Sequence, residues 1–362
     1  MLTATRREWN ELYVFFALLG KGSVTLGDEE GKPSSRVLPI VRISRQEHDG
    51  KREYRVEKDE VHVTGGQMDG RFPMEDFRTA AALILEALKQ CREDEVEAPE
   101  GVEDFLDALK IYDMEARTDD RTDFYLTFHD DSFPPMGFRI YSRLCAMNPL
   151  LDGGRTANLK YAQTGVRFSA PAVNKINYTD DPDNPNEVAR RMLYIESLGG
   201  VLKYEDVADK IFRSNLCLID LNFARVLAEM VRLMHLDNVG RVDELTALVE
   251  ERNPLKIKDE LIHKHLYYRH KVKEFLLAVA LGMRPAKQYD GTDSAVAGFV
   301  MVDAQGGLLA YRKTERETFA NFLFTHTRLE KGSPEKDKYG YLERENRAYH
   351  LKLNVKVGFV KR

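Results

Sequence analysis

The hydrophobic period changes along this chain of 362 residues, and the change limits the folds open to it. Over residues 186–283, apolar residues recur at three- and four-residue intervals, which is the period of an amphipathic helix. On either side, short β-branched runs alternate between apolar and polar residues, which is typical of half-buried strands. This mixture predicts an α+β (or α/β) class, with a mixed-sheet core, a mainly helical middle region and a β-rich C-terminal part.

Three consecutive regions follow from this pattern, over residues 1–180, 181–290 and 291–362. The first is expected to contain helices over residues 6–19, 73–91 and 102–109, an antiparallel meander and a strand pair. The second is expected to be helical, including a helix in KYEDVADKIFRSN. The third is expected to contain a hairpin over residues 295–311, a helix over 318–329 and a closing meander.

Bulk composition excludes several classes of protein. No apolar run approaches the roughly 18 residues that a membrane span needs, and the N-terminus lacks the order of segments found in a signal peptide. The three cysteines are scattered and odd in number, which argues against a disulfide framework. We therefore expect a cytoplasmic protein that does not enter a membrane.

Charge is unevenly distributed along the chain. Residues 57–131 have 22 acidic and 8 basic side chains, whereas residues 139–177 have six basic and one acidic. Residues 311–362 have 13 basic and 7 acidic side chains. A positive surface is therefore compatible with the net charge of −5, although solvated faces of random charge would give a similar count.

A strand pair carries the pattern with the most chemical content. Asp123 opens the first strand, and Arg139, Ile140 and Tyr141 lie on the second, sixteen positions later. In metal-dependent nucleases, a carboxylate on one strand and an acid-x-lysine triplet on the next meet at a sheet edge and hold Mg²⁺. Here Arg139 stands at the position of the acid and Tyr141 at that of the lysine. Taken alone, the pattern is more typical of a surface hairpin with a salt bridge.

Longer phrases of the sequence are more specific. GFRIYSRLCAMNPLLDGGRTANLKY resembles GFSIKSxLG…LLNA…TNF, and REWNELYVF resembles KGEWSELYVF, both from the HpaII-type family of type II restriction endonucleases. The C-terminal third follows the order of that family in NPLKI, LGMRPAKQYDGTDSAVAGFVMVD, FANFLFTHTRLEKGS and AYHLKLNVKVGF. The resemblance reaches both ends of the chain and is weakest over residues 29–121 and in the first helices after Asn177.

This resemblance implies a restriction-endonuclease-like core that hydrolyses phosphodiester bonds in double-stranded DNA with Mg²⁺ as cofactor. The expected catalytic residues are Asp123, Arg139, Tyr141 and Arg143. Asp123 is expected to bind the metal. A second carboxylate is expected from the first helix, where Glu11 is our candidate and Glu8 is the alternative. A solvated helix face is the other interpretation of both glutamates.

Two positions depart from the family pattern. Tyr141 replaces the family lysine, and Arg139 replaces the serine that stands two residues before it. A tyrosine with an ordinary pKa of about 10 supplies no cation. Arg139 or Arg143 would instead stabilise phosphate charge, because arginine stays protonated. The site is therefore either altered but active, or no longer able to cleave.

The loop MNPLLDGGRTANLKY is the candidate for DNA contact. Its glycine pair permits close backbone approach, and its arginine, asparagine and lysine are suited to guanine, adenine and phosphate respectively. An ordinary turn with surface cations is the alternative. The candidate DNA-binding residues here and in the following PAVNKIN segment are Asn148, Arg155, Asn158, Lys160, Asn174 and Lys175.

Two classes of function remain open. The first is a type II restriction endonuclease, a possible homodimer because palindromic sites suit two-fold symmetry, with a cognate DNA methyltransferase as genetic partner. The second is a sequence-specific DNA-binding protein without nuclease activity, which the missing lysine motivates. An interaction protein unrelated to DNA would require a fortuitous resemblance. A zinc site is disfavoured, since His263 and His265 would point about 200° apart on a helix.

Overall fold

The computed structural model of the protein describes residues 2–116, 118–129, 134–178, 186–291 and 294–361. The strands are β1 Thr3–Thr5, β2 Ser23–Gly27, β3 Pro33–Glu47, β4 Gly50–Glu57, β5 Glu60–Gly65, β6 Met68–Pro73, β7 Glu95–Glu97, β8 Phe124–Phe128, β9 Met136–Ser142, β10 Leu151–Asp152, β11 Asn158–Thr164, β12 Val201–Val207, β13 Val296–Val302, β14 Leu308–Arg312, β15 Thr327–Leu329, β16 Leu342–Glu345, β17 Ala348–Asn354 and β18 Lys356–Phe359. The helices are α1 Arg6–Lys21, α2 Met74–Gln90, α3 Val102–Ala108, α4 Ala170–Tyr178, α5 Glu187–Ser197, α6 Lys210–Ile219, α7 Phe223–Leu236, α8 Val242–Arg252, α9 Asp259–His263, α10 Tyr267–Ala280, α11 Arg316–His326 and α12 Pro334–Asp337. The α+β class is confirmed.

The chain forms two compact units, each made from two separate segments. The first unit contains residues 1–148 and 293–322, and the second contains residues 149–292 and 323–362. This division differs from the three consecutive regions expected over residues 1–180, 181–290 and 291–362. The reason is long-range pairing: β13 and β14 join strands of the N-terminal segment, and β17 pairs with β11. Local periodicity carries no information on such partners.

A large mixed sheet organises the first unit. Among the described residues it has nine strands in the order β2-β14-β13-β9-β8-β3-β4-β5-β6. β13 pairs with β9 in parallel and β14 pairs with β2 in parallel, while the other neighbouring pairs, including the predicted hairpin β13–β14, are antiparallel. β13 is buried along its whole length, as its continuous apolar run VAGFVMV requires of a central strand. The sheet brings β8 and β9 together next to β13.

Helices α1 and α2 pack together on this unit, and their aromatic residues form much of its core. The ring of Phe16 meets those of Phe77 and Phe105 edge-on, at centroid distances of 5.7 and 5.5 Å. Trp9 is buried, and its Nε1 donates to the Val96 carbonyl at 2.9 Å. These contacts fix the rotation of α1 about its axis. They therefore also fix which side chains of α1 point away from the aromatic core.

The second unit combines two smaller sheets with the helices α4 to α10. The strand orders are β12-β11-β17-β16 and β10-β18-β15. The helix predicted in KYEDVADKIFRSN is wrong in its first half, because residues 201–207 form β12 and α6 begins only at Lys210. β12 pairs with β11, with Leu159 opposite Val207 and Tyr161 opposite Tyr204. This strand pairing overrides the local helical spacing.

Membrane-span criteria are not met in the part of the chain that the structure describes. No helix there combines the length and the apolar character needed to cross a bilayer.

Candidate active site

Helix α1 carries both glutamates that were candidates for the second acid. Thr5 and Glu8 form a capping box, in which the Thr5 amide donates to Glu8 Oε2 at 2.8 Å and the Glu8 amide donates to Thr5 Oγ1 at 3.3 Å. The carboxylate of Glu8 is therefore used to begin the helix. Glu11, almost one turn further on, is only 7% exposed. Of the two, Glu11 is the buried acid.

Asp123 lies directly before β8, where the ladder between β8 and β9 ends. Its amide donates to the Phe138 carbonyl at 2.8 Å, and its Oδ2 accepts from the Ile140 amide at 2.6 Å. The last residue pair of the ladder is Phe124 opposite Phe138, and beyond it the Asp123 side chain accepts the next hydrogen bond from β9. The carboxylate is thereby held at the edge of β9.

A small cavity of about 40 Å³ lies between these two acids. Five of the predicted site residues line it: Glu11, Asp123, Arg139, Tyr141 and Asn148. The other lining residues are Arg7, Asn10, Ile140, Ser142, Cys145, Ala146 and Met147. The space is sufficient for an ion or a water molecule. Residues that are distant in sequence are therefore brought to one place within the first unit.

The two carboxyl groups share an unfavourable environment for negative charge. Burial raises the pKa of Glu11, against the opposing effects of Arg45 and the Ala116 amide, and the charge of Asp123 raises it further. Burial also raises the pKa of Asp123, opposed by the Ile140 amide and the Arg139 guanidinium. A divalent cation between such groups would stabilise both ionised forms. The donor set therefore fits a hard cation that prefers oxygen ligands.

Arg45, on β3, fixes the orientation of Glu11. Its side chain is completely buried, and its guanidinium lies 3.2 Å from Glu11 Oε1 and 2.6 Å from Glu47 Oε2. Glu11 Oε1 also accepts from the Ala116 amide at 2.6 Å. Sequence reasoning missed Arg45, since nothing in the local pattern of β3 distinguishes it from a surface arginine.

Tyr141 is part of the core of the first unit. It is 2% exposed, and its ring meets that of Phe299 edge-on at 5.2 Å. Burial raises its pKa, so the hydroxyl stays neutral near neutral pH. The Arg139 guanidinium lies 5.2 Å from the centre of the Tyr141 ring. At the position of the family lysine there is therefore a buried neutral group, with a permanent cation beside it.

Arg121 is a second cation near this position that sequence reasoning missed. Burial and the charge of Arg139 lower its pKa, which places the two guanidinium groups within electrostatic range. Neither Arg121 nor Arg139 forms an ion pair with any side chain in the described ranges. Arg121 has a φ of 65°, which is unusual for a residue with a side chain. Two cations within electrostatic range of each other, neither of them in an ion pair with a described acid, suit a bound anion.

Arg143 follows β9 and is not part of the cavity lining. Its backbone amide donates to the Val302 carbonyl at 3.0 Å, which continues the pairing of β9 and β13. The side chain is half-buried. Of the four predicted catalytic residues, Asp123, Arg139 and Tyr141 thus share the cavity, whereas Arg143 does not line it.

The predicted DNA-contacting loop is more ordered than expected. It contains β10, a 3₁₀ turn at Gly154–Ala157 and the start of β11. Asn158 is 2% exposed, and its Nδ2 donates to the Asp337 and Lys338 carbonyls at 2.9 and 3.1 Å. Its amide is therefore used inside the second unit, and we do not retain Asn158 as a base-reading residue.

The remaining DNA-contact candidates differ in exposure. Lys160 Nζ lies 3.1 Å from Glu205 and 3.4 Å from Glu345, so its charge is already paired. Arg155, Asn174 and Lys175 are exposed on the second unit, and Asn148 is exposed on the first. Among the candidate cations, Arg155 and Lys175 are therefore more accessible to phosphate than Lys160.

Histidine and cysteine contribute no metal site within the ranges described. No group of three or more His, Cys, Asp or Glu side chains there is arranged to hold a metal ion. His263, His265 and His270 are exposed on or beside α9 and α10. The candidate cation site consists instead of two carboxylates together with the other oxygen atoms of the cavity.

Comparison with known proteins defines the class of this protein. The model of the HpaII restriction endonuclease family matches residues 5–359, so the chain belongs to that family of nucleases. The type II restriction enzyme HpaII of Haemophilus parainfluenzae is 28% identical over 363 residues, which cover 99% of each chain. No solved structure matches. The resemblance seen in the sequence is therefore confirmed.

Proposed function

We propose that this chain is a type II restriction endonuclease that hydrolyses phosphodiester bonds at a short specific site in double-stranded DNA, with Mg²⁺ as cofactor. The observation that carries the proposal is the cavity that is lined by Glu11, Asp123 and Arg139 together. Family membership makes a nuclease the expected class, and the presence of two acids and Arg139 in one cavity lining supports this location for its site.

Mg²⁺ would be held by Glu11 and Asp123, whose raised pKa values favour a cation beside them. When bound, Mg²⁺ stabilises charge on the phosphate and lowers the pKa of water. Arg45 holds the Glu11 carboxylate in place, and the Ile140 amide holds that of Asp123. The protein thus presents two oriented oxygen donors before DNA arrives.

The family lysine is replaced in function by arginine. Arg139, assisted by Arg121, binds the phosphate oxygens and offsets their growing negative charge. Arginine does not exchange a proton at neutral pH, and Tyr141 is buried and neutral, so neither acts as a general base. Tyr141 instead supports the Arg139 guanidinium with its ring. Arg143 would contact the phosphates that flank the cleaved bond.

DNA is held mainly through exposed groups. Arg155 and Lys175 contact phosphates, and Asn148 and Asn174 offer amides to the DNA. A two-fold dimer would match a palindromic site, and a cognate DNA methyltransferase in the same cytoplasm would protect host DNA. These partners follow from the proposed class of enzyme.

A second candidate function rests on Tyr141 alone. A buried neutral ring at the lysine position favours a protein that binds a specific DNA site without cutting it. It would keep the exposed contacts of Arg155 and Lys175 and lack the hydrolytic step.

One assay separates the two candidates. Purified protein is incubated with unmethylated plasmid and phage DNA, with Mg²⁺ and separately with EDTA. We expect discrete fragments with Mg²⁺ only, and sequencing their ends would identify the site. Intact DNA under both conditions, with a mobility shift still present, would support the binding protein and make Tyr141→Lys the next variant. The absence of both cleavage and binding would contradict both candidates.

A further inference from the structure

Asn10 has a buried oxygen atom whose hydrogen-bonding capacity is unused. The residue lies at the start of the second turn of α1 and is 3% exposed. Its Oδ1 has no hydrogen-bond partner among the residues that the structure describes. A buried polar atom left without a partner costs about 1 to 3 kcal/mol, and folded proteins rarely keep one without a reason.

The position of Asn10 supplies such a reason. Its side chain lines the same cavity as Glu11 and Asp123. The hydrogen bond of Trp9 to the Val96 carbonyl and the ring contact of Phe16 with Phe77 fix the rotation of α1, so Asn10 cannot turn towards solvent without disturbing the core. Arg7, almost one turn before Asn10 and also in the cavity lining, pairs through its Nε with Glu115 at 2.8 Å. Asn10 therefore shares the cavity with both acids, and its side-chain oxygen accepts from no donor among the described residues.

An amide oxygen is a suitable additional ligand for a cation whose coordination shell two carboxylates do not complete. Hard cations such as Mg²⁺ and Ca²⁺ accept neutral amide oxygens as ligands together with carboxylates and water. A third carboxylate would add negative charge beside two acids and would repel them until a cation is bound. A neutral amide adds an oxygen donor without that repulsion.

We propose that Asn10 Oδ1 is a ligand of the divalent cation held by Glu11 and Asp123, directly or through one bound water. This inference rests on the metal-dependent function proposed above, and it adds a residue that the two-acid pattern does not contain. The cation would give this buried oxygen the partner that the described residues do not supply.

The test measures cation binding without DNA and without turnover. Ca²⁺ and Mg²⁺ are titrated into the purified full-length protein in a calorimeter, and thermal unfolding is followed with and without each ion. For Asn10→Ala we expect at least about tenfold weaker binding of the cation. We also expect no loss of thermal stability without cation, since the substitution removes an unsatisfied atom. Asn10→Asp should bind the cation more tightly than wild type.

Asn177→Ala is the matched control. Asn177 is also buried, but its Nδ2 donates to the Leu342 carbonyl at 3.0 Å and its Oδ1 accepts from the Leu342 amide at 2.8 Å. This variant should lose thermal stability and keep the wild-type affinity for the cation. If Asn10→Ala fails to fold, Asn10→Asp alone decides, since affinity equal to or below wild type would overturn the inference.

Glu11→Gln and Asp123→Asn separate this inference from the proposed function. If both weaken cation binding and Asn10→Ala binds within twofold of wild type, Asn10 is not a ligand and the two-acid site stands. If neither weakens binding, or wild type binds no cation, the metal site itself is refuted together with the role of Asn10.

Discussion

The proposed chemistry depends on the carboxylates of Glu11 and Asp123. Glu11 is buried, Asp123 is half-buried, and both line one cavity, where an ionised carboxylate is costly without a nearby positive charge. Arg45 partly compensates Glu11, and the Ile140 amide partly compensates Asp123. The remaining deficit is what a divalent cation would supply, so removing either charge should impair the reaction more than the fold.

The substitution Asp123→Asn tests whether the charge of Asp123 is needed for cleavage, because it replaces one carboxylate oxygen by an amide nitrogen. The substitution keeps the shape of the side chain and removes one negative charge. We expect cleavage to fall at least about a thousandfold, equivalent to about 4 kcal/mol of barrier, while DNA binding in EDTA is largely retained. Rates are compared by gel assay with Mg²⁺, beside Glu8→Gln as control.

Glu8→Gln is a suitable control because Glu8 belongs to the capping box and not to the cavity. It should cost about 1 kcal/mol of stability at most and leave the cleavage rate close to wild type. Wild-type cleavage by Asp123→Asn would disprove the assignment of Asp123.

At the scale of elements, α7 contains a buried histidine whose titration is coupled to folding. His235 is 1% exposed, and neither ring nitrogen has a partner in the described part of the chain. Burial, and to a smaller extent the charge of Lys331, lowers its pKa to about 4. The Tyr339 ring lies 6.0 Å away. In the unfolded chain this histidine would titrate near 6.5.

The consequence is a loss of stability in acid. Between pH 6.5 and 4 the unfolded state binds a proton that the folded state does not, so the free energy of unfolding falls as pH falls. The stability that comes from keeping His235 neutral is fully present above pH 6.5 and largely lost at pH 4. At pH 4.5 the loss due to His235 should be about 2 to 3 kcal/mol.

Urea unfolding at pH 7 and pH 4.5 measures this loss, with His235→Leu for comparison. The leucine variant should lose less stability between the two pH values than wild type. An identical loss in both proteins would exclude His235 as the source.

Elements also show where local pattern is insufficient. α1, α2 and the β13–β14 hairpin follow from periodicity and turn residues, because their apolar faces are continuous in sequence. β12 does not, since its strand state depends on pairing with β11 about forty residues earlier in the chain. Glu47, which helps to position Arg45, is likewise a core residue, although the local sequence predicts an exposed acid on a strand.

At the scale of the whole molecule, DNA affinity should depend steeply on salt although the net charge is −5. Each phosphate contact by Lys or Arg adds about 0.9 to the slope of log affinity against log salt. Arg155→Ala and Lys175→Ala should each lower the slope by about 1, as measured by mobility shift or anisotropy with EDTA.

Lys160→Gln provides the comparison for these variants. Lys160 is already paired with Glu205 and Glu345, so this variant should leave the slope unchanged. A slope near zero for the wild-type protein would argue against any DNA-binding function.

Periodicity and residue type determined the α+β class, most helices and the strand pair after Asp123, and the resemblance of longer phrases to a known family indicated the family. These features depend on neighbours within a few residues or on long matching segments. Only the tertiary structure showed that Glu11 and not Glu8 lines the cavity, placed Asn10 in that lining and Arg45 against Glu11, and showed Asn158 buried. The physical reason is that burial and hydrogen-bond partners come from distant segments, so one residue type can be a cap, a ligand or a core anchor.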